Sequence, residues 1–222
     1  MTHIKICGIK EEVHALAAVE AGADFIGFVF ASSKHQVSPA KAHEVINAVK
    51  KRSSAVKTIG VFVNTPASEI NRLADFCGLD WVQLSGNESW EYCREIARPI
   101  IKAIRIGQQL REEINAELTV GLKTLSPQRF ITLLDSHVEG KYGGTGITFN
   151  WRLAQQVAKE FPVIIAGGLN PENVAQAIEI TTPWGLDVSS GVETDGTKDV
   201  AKIKAFIEAV RRTDDNKRQP AT

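Results

Sequence analysis

The chain has 222 residues, of which 43% are hydrophobic and 23% are charged, and its formal net charge is zero. Nucleic-acid and membrane-surface binders usually carry a basic excess, and a membrane span needs a longer apolar run than any found here. Three cysteines without paired spacing, and an N-terminus that reads directly as a strand, favour a reducing compartment. We therefore expect a cytoplasmic protein with no nucleic-acid or membrane partner.

Short apolar runs rich in Ile, Val and Phe alternate with longer amphipathic stretches. Apolar runs of this length are typical of parallel strands that are covered on both faces. In chain order the predicted strands are 3–7, 25–30, 57–63, 81–84, 99–106, 129–135, 162–166 and 184–188. The predicted helices that follow them are 11–20, 39–51, 66–76, 88–97, 108–118, 151–159, 171–180 and 199–211.

Eight strand–helix units in strict alternation predict an α/β protein with a single (β/α)8 TIM barrel. The barrel is expected to span residues 1–212, followed by a polar C-terminal tail at 213–222. Active sites of such barrels form at the carboxyl ends of the strands, so the polar residues at those ends are the functional candidates.

Two loops after the last strands are candidates for binding phosphate. Gly167 and Gly168 follow the seventh predicted strand, and Ser189, Ser190 and Gly191 follow the eighth. Glycines let backbone N–H groups approach an anion, and barrels often hold phosphate between these two loops. The alternative is that the glycines only form turns.

A cysteine and a lysine share one face of the first predicted strand. Period-two alternation places Lys5 and Cys7 together, and an inward face would bring Cys7 to the mouth of the barrel. A thiol acts as a base only when ionised, and a neighbouring lysine favours the thiolate. Lys5 is also a candidate for binding the substrate. The alternative is a small buried hydrophobe, which we expect for Cys77 and Cys93.

A carboxyl group ends the sixth predicted strand. Asp135 is costly at the end of an apolar run unless it faces a polar mouth, and burial there would suit it to donate a proton. The glycine-rich segment 140–146 is interpreted as a lid over the site or as a plain loop.

These residues lie in motifs that resemble the phosphoribosylanthranilate isomerase family over nearly the whole chain. The matching segments are Lys5-Ile6-Cys7-Gly8-Ile9, 27–30, 60–63, 82–84, 134–135, 142–146, 167–173 and 187–193. The resemblance implies an aldose–ketose isomerase of tryptophan biosynthesis that acts on a small phosphorylated sugar, as a monomer or homodimer. It also implies that Asp135 is the general acid, that Cys7 is the general base, that Asp187 contacts the substrate, and that no metal or organic cofactor is needed.

The chain departs from the family pattern where the aromatic carboxylate of the substrate is bound. The family usually carries an arginine in the loop after the second strand, and here the nearest equivalent is His35, with Lys34 beside it. Neither side chain offers the bidentate fork of arginine. Ser85 stands where the family tends to have histidine, and Asn150 where aspartate is common.

Two alternatives stay open at this point. One is a related aminoaldose-phosphate isomerase of histidine biosynthesis, which would use aspartates for both acid and base. The other is a non-catalytic phosphate-binding paralogue, which the altered position at His35 permits.

Overall fold

The computed structural model describes residues 1–106, 111–135 and 151–218. Its strands are β1 (His3–Cys7), β2 (Phe25–Val29), β3 (Lys57–Phe62), β4 (Trp81–Leu84), β5 (Ile100–Arg105), β6 (Phe130–Asp135), β7 (Val163–Ala166), β8 (Gly185–Val188), β9 (Glu193–Thr194) and β10 (Thr197–Lys198). Its α-helices are α1 (Glu12–Ala21), α2 (Pro39–Arg52), α3 (Ala67–Cys77), α4 (Trp90–Cys93), α5 (Arg111–Thr124), α6 (Trp151–Ala158), α7 (Val174–Thr181) and α8 (Val200–Arg218).

The eight strands β1–β8 form a closed parallel barrel in sequence order, with β1 paired to β8. The predicted (β/α)8 fold is confirmed. The short strands β9 and β10 pair antiparallel after β8 as a separate two-stranded sheet. Because all eight barrel strands are parallel, their carboxyl ends meet at one mouth.

Successive side chains of each strand point alternately into the barrel and towards the helices, which gives two apolar layers. Inside the barrel, side chains from β2, β3, β5, β6 and β7 form a small cluster, which includes Phe25, Ile59, Ile101, Leu133 and Ile164. The opposite faces of the strands pack against the helices in a much larger cluster. The position of a residue within its strand therefore decides whether it faces the barrel interior or the helical layer.

Local start and stop signals account for several helix ends. Ser38 accepts a hydrogen bond from the Lys41 N–H and Pro39 opens α2, as the sequence predicts. Gly22 ends α1 with φ +97°, a left-handed conformation that glycine adopts without a Cβ clash. Helix α4 is shorter than the predicted 88–97: Ser89 caps its start by accepting the Tyr92 N–H at 3.1 Å, and the preceding Glu88 carboxylate accepts the backbone N–H groups of Asn64 and Gly86.

The C-terminal part of the chain corrects the predicted tail. Helix α8 continues to Arg218, so residues 213–218 are helical rather than part of a polar tail. Asp214 is buried and accepts hydrogen bonds from the Thr2 N–H and hydroxyl, both at 2.7 Å. Sequence pattern does not show this contact, because the two residues lie 212 positions apart.

Some predictions fall outside the described ranges. These are the beginning of the fifth helix at 108, the glycine-rich segment 140–146 and the cap at Asn150. Among the described helices, none is both long enough and apolar enough to span a bilayer.

Candidate active site

The predicted acid and base lie at the same mouth of the barrel. Cys7 is the last residue of β1 and Asp135 is the last residue of β6. Parallel strands bring both carboxyl ends to one side. Asp187 lies one residue before the end of β8, the strand next to β1. The arrangement therefore meets the first geometric requirement for a shared reaction site.

Cys7 and Lys5 occupy adjacent inward positions of β1, over a glycine of the neighbouring strand. A Cβ at Gly27 would lie 3.0 Å from the Cys7 sulfur and 3.2 Å from the Lys5 Cε. Lys5 is 1% exposed and Cys7 is 7% exposed. The missing side chain of Gly27 leaves room for the thiol and the lysine to lie side by side inside the barrel.

The Lys5 ammonium forms a buried ion pair with Asp187, at 3.0 Å from Nζ to Oδ1. Burial by itself would lower the pKa of Lys5, but the negative charges of Asp187 and of an ionised Cys7 outweigh it and raise that pKa. Lys5 is therefore a permanent cation inside the barrel wall.

Burial raises the pKa of the Cys7 thiol, and the opposing effect of Lys5 does not outweigh it. The sequence argument that a neighbouring lysine favours the thiolate has the right direction for the lysine alone. Burial nevertheless penalises the thiolate, and Asp187 also disfavours a second negative charge beside it. The pKa of Cys7 in the unliganded protein therefore lies above that of an ordinary cysteine.

Asp135 stands at the rim on the opposite side of the mouth. It is partly exposed and lies in register with Arg105 of β5 and Ala166 of β7. Its carbonyl accepts the Ile106 N–H at 2.8 Å, which extends the pairing of β5 and β6 by one bond. The carboxyl group is thus carried by a rigid strand end rather than by a free loop.

The loop after β7 has the backbone geometry of an anion cradle. Gly167 and Gly168 both have positive φ, +94° and +65°, and the space beside Gly168 is open. Asn170 and Asn173 stabilise the turn that leads into α7: the Asn170 N–H donates to the Asn173 Oδ1 at 2.9 Å, and the Asn173 N–H donates to the Asn170 Oδ1 at 3.0 Å. Consecutive left-handed glycines expose backbone N–H groups to an incoming anion.

The loop after β8 packs directly against the loop after β7. A Cβ at Gly191 would lie 1.8 Å from the Leu169 carbonyl oxygen, so only glycine fits there. Lys198 is buried and its Nζ donates to the Ser189 carbonyl oxygen at 3.0 Å and to the Ser189 hydroxyl at 3.3 Å. The structure therefore packs the loop that carries Gly167 and Gly168 against the loop that carries Ser189, Ser190 and Gly191, and it adds a lysine that sequence reasoning missed.

His35 lies at the mouth but faces a carboxylate of the protein itself. Its Nε2 is 2.8 Å from the Glu193 Oε1, and the Lys34 Nζ is 3.3 Å from the other oxygen. Lys198 contacts the same carboxylate. Burial and the charge of Lys198 lower the pKa of His35 despite Glu193. The position of Glu193 in the sequence gives no signal that it would meet His35, which lies 158 residues earlier in the chain.

The structure also places two polar residues of β4 and its loop at the mouth. Gln83 is buried on the inward face, and its Nε2 donates to the Ser85 hydroxyl at 3.0 Å. Over the described ranges, no cluster of three or more His, Cys, Asp or Glu side chains is arranged to hold a metal ion.

Barrels that combine an anion cradle after β7 and β8 with proton-transferring side chains at the same mouth form a class of enzymes that act on phosphorylated substrates. This chain has the closed barrel, the glycine loops after β7 and β8, and titratable side chains at the same mouth. Residues 4–209 match the family model described as N-(5'-phosphoribosyl)anthranilate (PRA) isomerase. The chain belongs to this family.

Individual relatives agree with the family model. The chain is 48% identical over 218 residues to the N-(5'-phosphoribosyl)anthranilate isomerase of Dehalococcoides mccartyi, covering 98% of this chain and 99% of the relative. The crystal structure of the isomerase of Thermotoga maritima superposes with a TM-score of 0.82 at 38% identity, covering 96% and 100% of the two chains. A further isomerase structure, in complex with reduced 1-(o-carboxyphenylamino)-1-deoxyribulose 5-phosphate, gives a TM-score of 0.79 at 37% identity, with the same coverage.

Proposed function

We propose that the protein catalyses the isomerisation of N-(5-phosphoribosyl)anthranilate to 1-(2-carboxyphenylamino)-1-deoxyribulose 5-phosphate, in tryptophan biosynthesis. Membership of the isomerase family over residues 4–209 carries this proposal. The position of Cys7 and Asp135 at one mouth, beside two phosphate-type loops, supports it. The protein is expected to work in the cytoplasm, as a monomer or a homodimer.

The phosphate of the substrate would bind between the loops after β7 and β8. The N–H groups around Gly167, Gly168 and Gly191, together with the hydroxyls of Ser189 and Ser190, are the donors. The buried Lys198 adds positive charge behind Ser189. A phosphate held there fixes the sugar so that its reacting atoms lie over the barrel mouth.

The reaction needs one proton donated and one removed. Asp135 would protonate the ring oxygen, the bond between that oxygen and C1 would break, and the lone pair of the substrate nitrogen would form the iminium. Cys7 as thiolate would then take the proton from C2 to give an enolamine, which tautomerises to the ketone. Because the substrate nitrogen accepts the electrons, the proposed reaction proceeds without a metal or an organic cofactor.

Lys5 and Asp187 would support the base. The thiol must lose its proton before it can act, and the ammonium of Lys5 is the positive charge that opposes the burial cost of the thiolate. Asp187 holds that ammonium at 3.0 Å and faces the same mouth, where it is also placed to contact the sugar. His35 stays a candidate for binding the aromatic carboxylate.

The test is turnover by the purified protein, with product identified by chromatography. Conversion of phosphoribosylanthranilate is expected, and no conversion would refute the proposal and favour a phosphate-binding paralogue. The aminoaldose of histidine biosynthesis is the competing substrate. Faster turnover of that compound would indicate the related isomerase instead.

A further inference from the structure

Arg105, which the sequence argument did not use, is the last residue of β5. Ile101 and Ala103 line the barrel interior, so alternation places Arg105 on the same face at the mouth. Arg105 is in register with Asp135 of the adjacent strand. A guanidinium group is thus carried by a rigid strand end, next to the proposed general acid.

The contacts of Arg105 hold it loosely at the β4 side of the mouth. Its Nη2 donates to the Ser85 carbonyl oxygen at 3.4 Å, and the side chain is exposed. A long hydrogen bond to a backbone carbonyl leaves most of the five guanidinium N–H donors for a ligand. Ser85 is also the position where the chain lacks the histidine that is usual in the family.

A buried acceptor belongs to a side chain that contacts the same serine as Arg105. Gln83 is 5% exposed and faces inward, and its Nε2 donates to the Ser85 hydroxyl. Within the described ranges, its Oε1 has no hydrogen-bond partner. Because a buried amide oxygen without a donor is costly, this oxygen points to a ligand N–H or O–H. An aromatic amine with an ortho carboxylate offers an N–H and a carboxylate side by side.

The cations of the β2 loop are less suited to the carboxylate. His35 and Lys34 both contact Glu193, so a substrate carboxylate at either one would approach a like charge. Burial and Lys198 also lower the pKa of His35, which disfavours its cationic form. Lys5 is paired with Asp187 inside the wall. Arg105, in contrast, contacts a neutral carbonyl.

We propose that Arg105 binds the aromatic carboxylate of the substrate and thereby determines the preference for an anthranilate-bearing sugar. This inference rests on the proposed isomerase function. A planar guanidinium binds a carboxylate with two parallel hydrogen bonds, a geometry that histidine and lysine do not provide. Arg105 would then supply from β5 what the loop after β2 lacks in this chain.

The test compares two ligands that differ only in the carboxyl group. They are reduced 1-(o-carboxyphenylamino)-1-deoxyribulose 5-phosphate and its counterpart made from aniline, each titrated by calorimetry. The variants are Arg105→Gln, Arg105→Lys and His35→Gln. Arg94→Gln, at an exposed arginine after α4, is the matched control for loss of one positive charge.

We expect Arg105→Gln to weaken binding of the carboxylate ligand by about tenfold to a hundredfold, the range for a charged hydrogen-bonded pair. Binding of the aniline ligand should be unchanged, and Arg105→Lys should recover only part of the loss. Equal weakening of both ligands would overturn the proposal, as would a carboxylate-specific loss in His35→Gln alone. Absence of turnover in the wild-type protein would instead refute the isomerase function itself.

Discussion

Lys5 and Lys102 both lie buried against a carboxylate, but on opposite faces of the barrel wall. Lys5 faces the interior and pairs with Asp187 at 3.0 Å, beside the thiol of Cys7. Lys102 follows the inward Ile101 and so faces the helical layer, where its Nζ lies 3.7 Å from the Glu88 Oε2. One step of alternation along a strand separates these two environments.

The partners of the two carboxylates show what each pair does. Glu88 also accepts the N–H groups of Asn64 at 2.7 Å and of Gly86 at 2.9 Å, so it joins the loops after β3 and β4. Asp187 instead holds the Lys5 ammonium beside the Cys7 thiol. Buried ion pairs are therefore not evidence of chemistry by themselves. The group that the cation faces distinguishes a pair that tunes a base from one that fixes loops.

The largest effect on turnover is expected at Cys7, the thiol beside the Lys5–Asp187 pair. Cys7→Ser should lower kcat by about 10²–10⁴-fold, the usual contribution of a general base, because a serine hydroxyl is a far weaker base at this position. The thermal unfolding temperature should stay close to that of the wild type. Near-normal turnover in this variant would exclude Cys7 as the base.

Asp135→Asn should reduce kcat by a similar order, about 10²–10⁴-fold, since the amide cannot protonate the ring oxygen. The thermal unfolding temperature should stay near the wild-type value, because the amide has nearly the size of the carboxyl group. Steady-state turnover of the purified variant at neutral pH provides the measurement. Turnover close to the wild-type rate would count against the assignment.

Lys5→Met and Lys102→Met compare the two pairs directly. Each removes the cation from a buried ion pair, so each should lower the free energy of unfolding in urea titrations, by about 3–5 kcal/mol for Lys5→Met. Glu88 keeps two backbone N–H donors, so the loss in Lys102→Met should be smaller. Only Lys5→Met should change the chemistry, because Lys5 opposes the rise in the Cys7 pKa that burial causes. In the wild type, kcat/KM should rise with pH as the thiol ionises, above its ordinary range.

In Lys5→Met that rise should move to still higher pH, whereas Lys102→Met should keep the wild-type midpoint. Equal shifts in both variants would show that the profile reports general destabilisation. An unchanged profile in Lys5→Met would remove the proposed link between the lysine and the thiol.

The smallest effect on activity is expected at the other end of the barrel. Asp214→Asn weakens the contacts with the Thr2 N–H and hydroxyl, and a lost charged hydrogen bond of this kind costs about 1.5–3 kcal/mol. The variant should unfold at lower urea concentration with kcat unchanged. A large fall in kcat at a temperature where the variant is folded would mean that this anchor also positions β1.

Sequence reasoning was strongest where the evidence is local. Alternation in β1 predicts that Lys5 and Cys7 share a face, and the order of strand–helix units predicts the barrel. It was weaker wherever the outcome depends on burial. The raised pKa of Cys7 depends on how deeply the thiol is enclosed, which no spacing in the sequence reveals.

Periodicity, helix caps and glycine positions are properties of neighbouring residues. The sequence by itself therefore determined the eight strand–helix units, the strand ends that carry Cys7 and Asp135, and the glycine loops after β7 and β8. Only the closed barrel decided which distant side chains meet. Lys5 reaches Asp187 across 182 positions because closure sets β1 beside β8. His35 meets Glu193 because the closed barrel also brings the loop after β2 close to the segment after β8. Charge and burial at the mouth follow from those contacts, and neither is encoded in any short stretch of sequence.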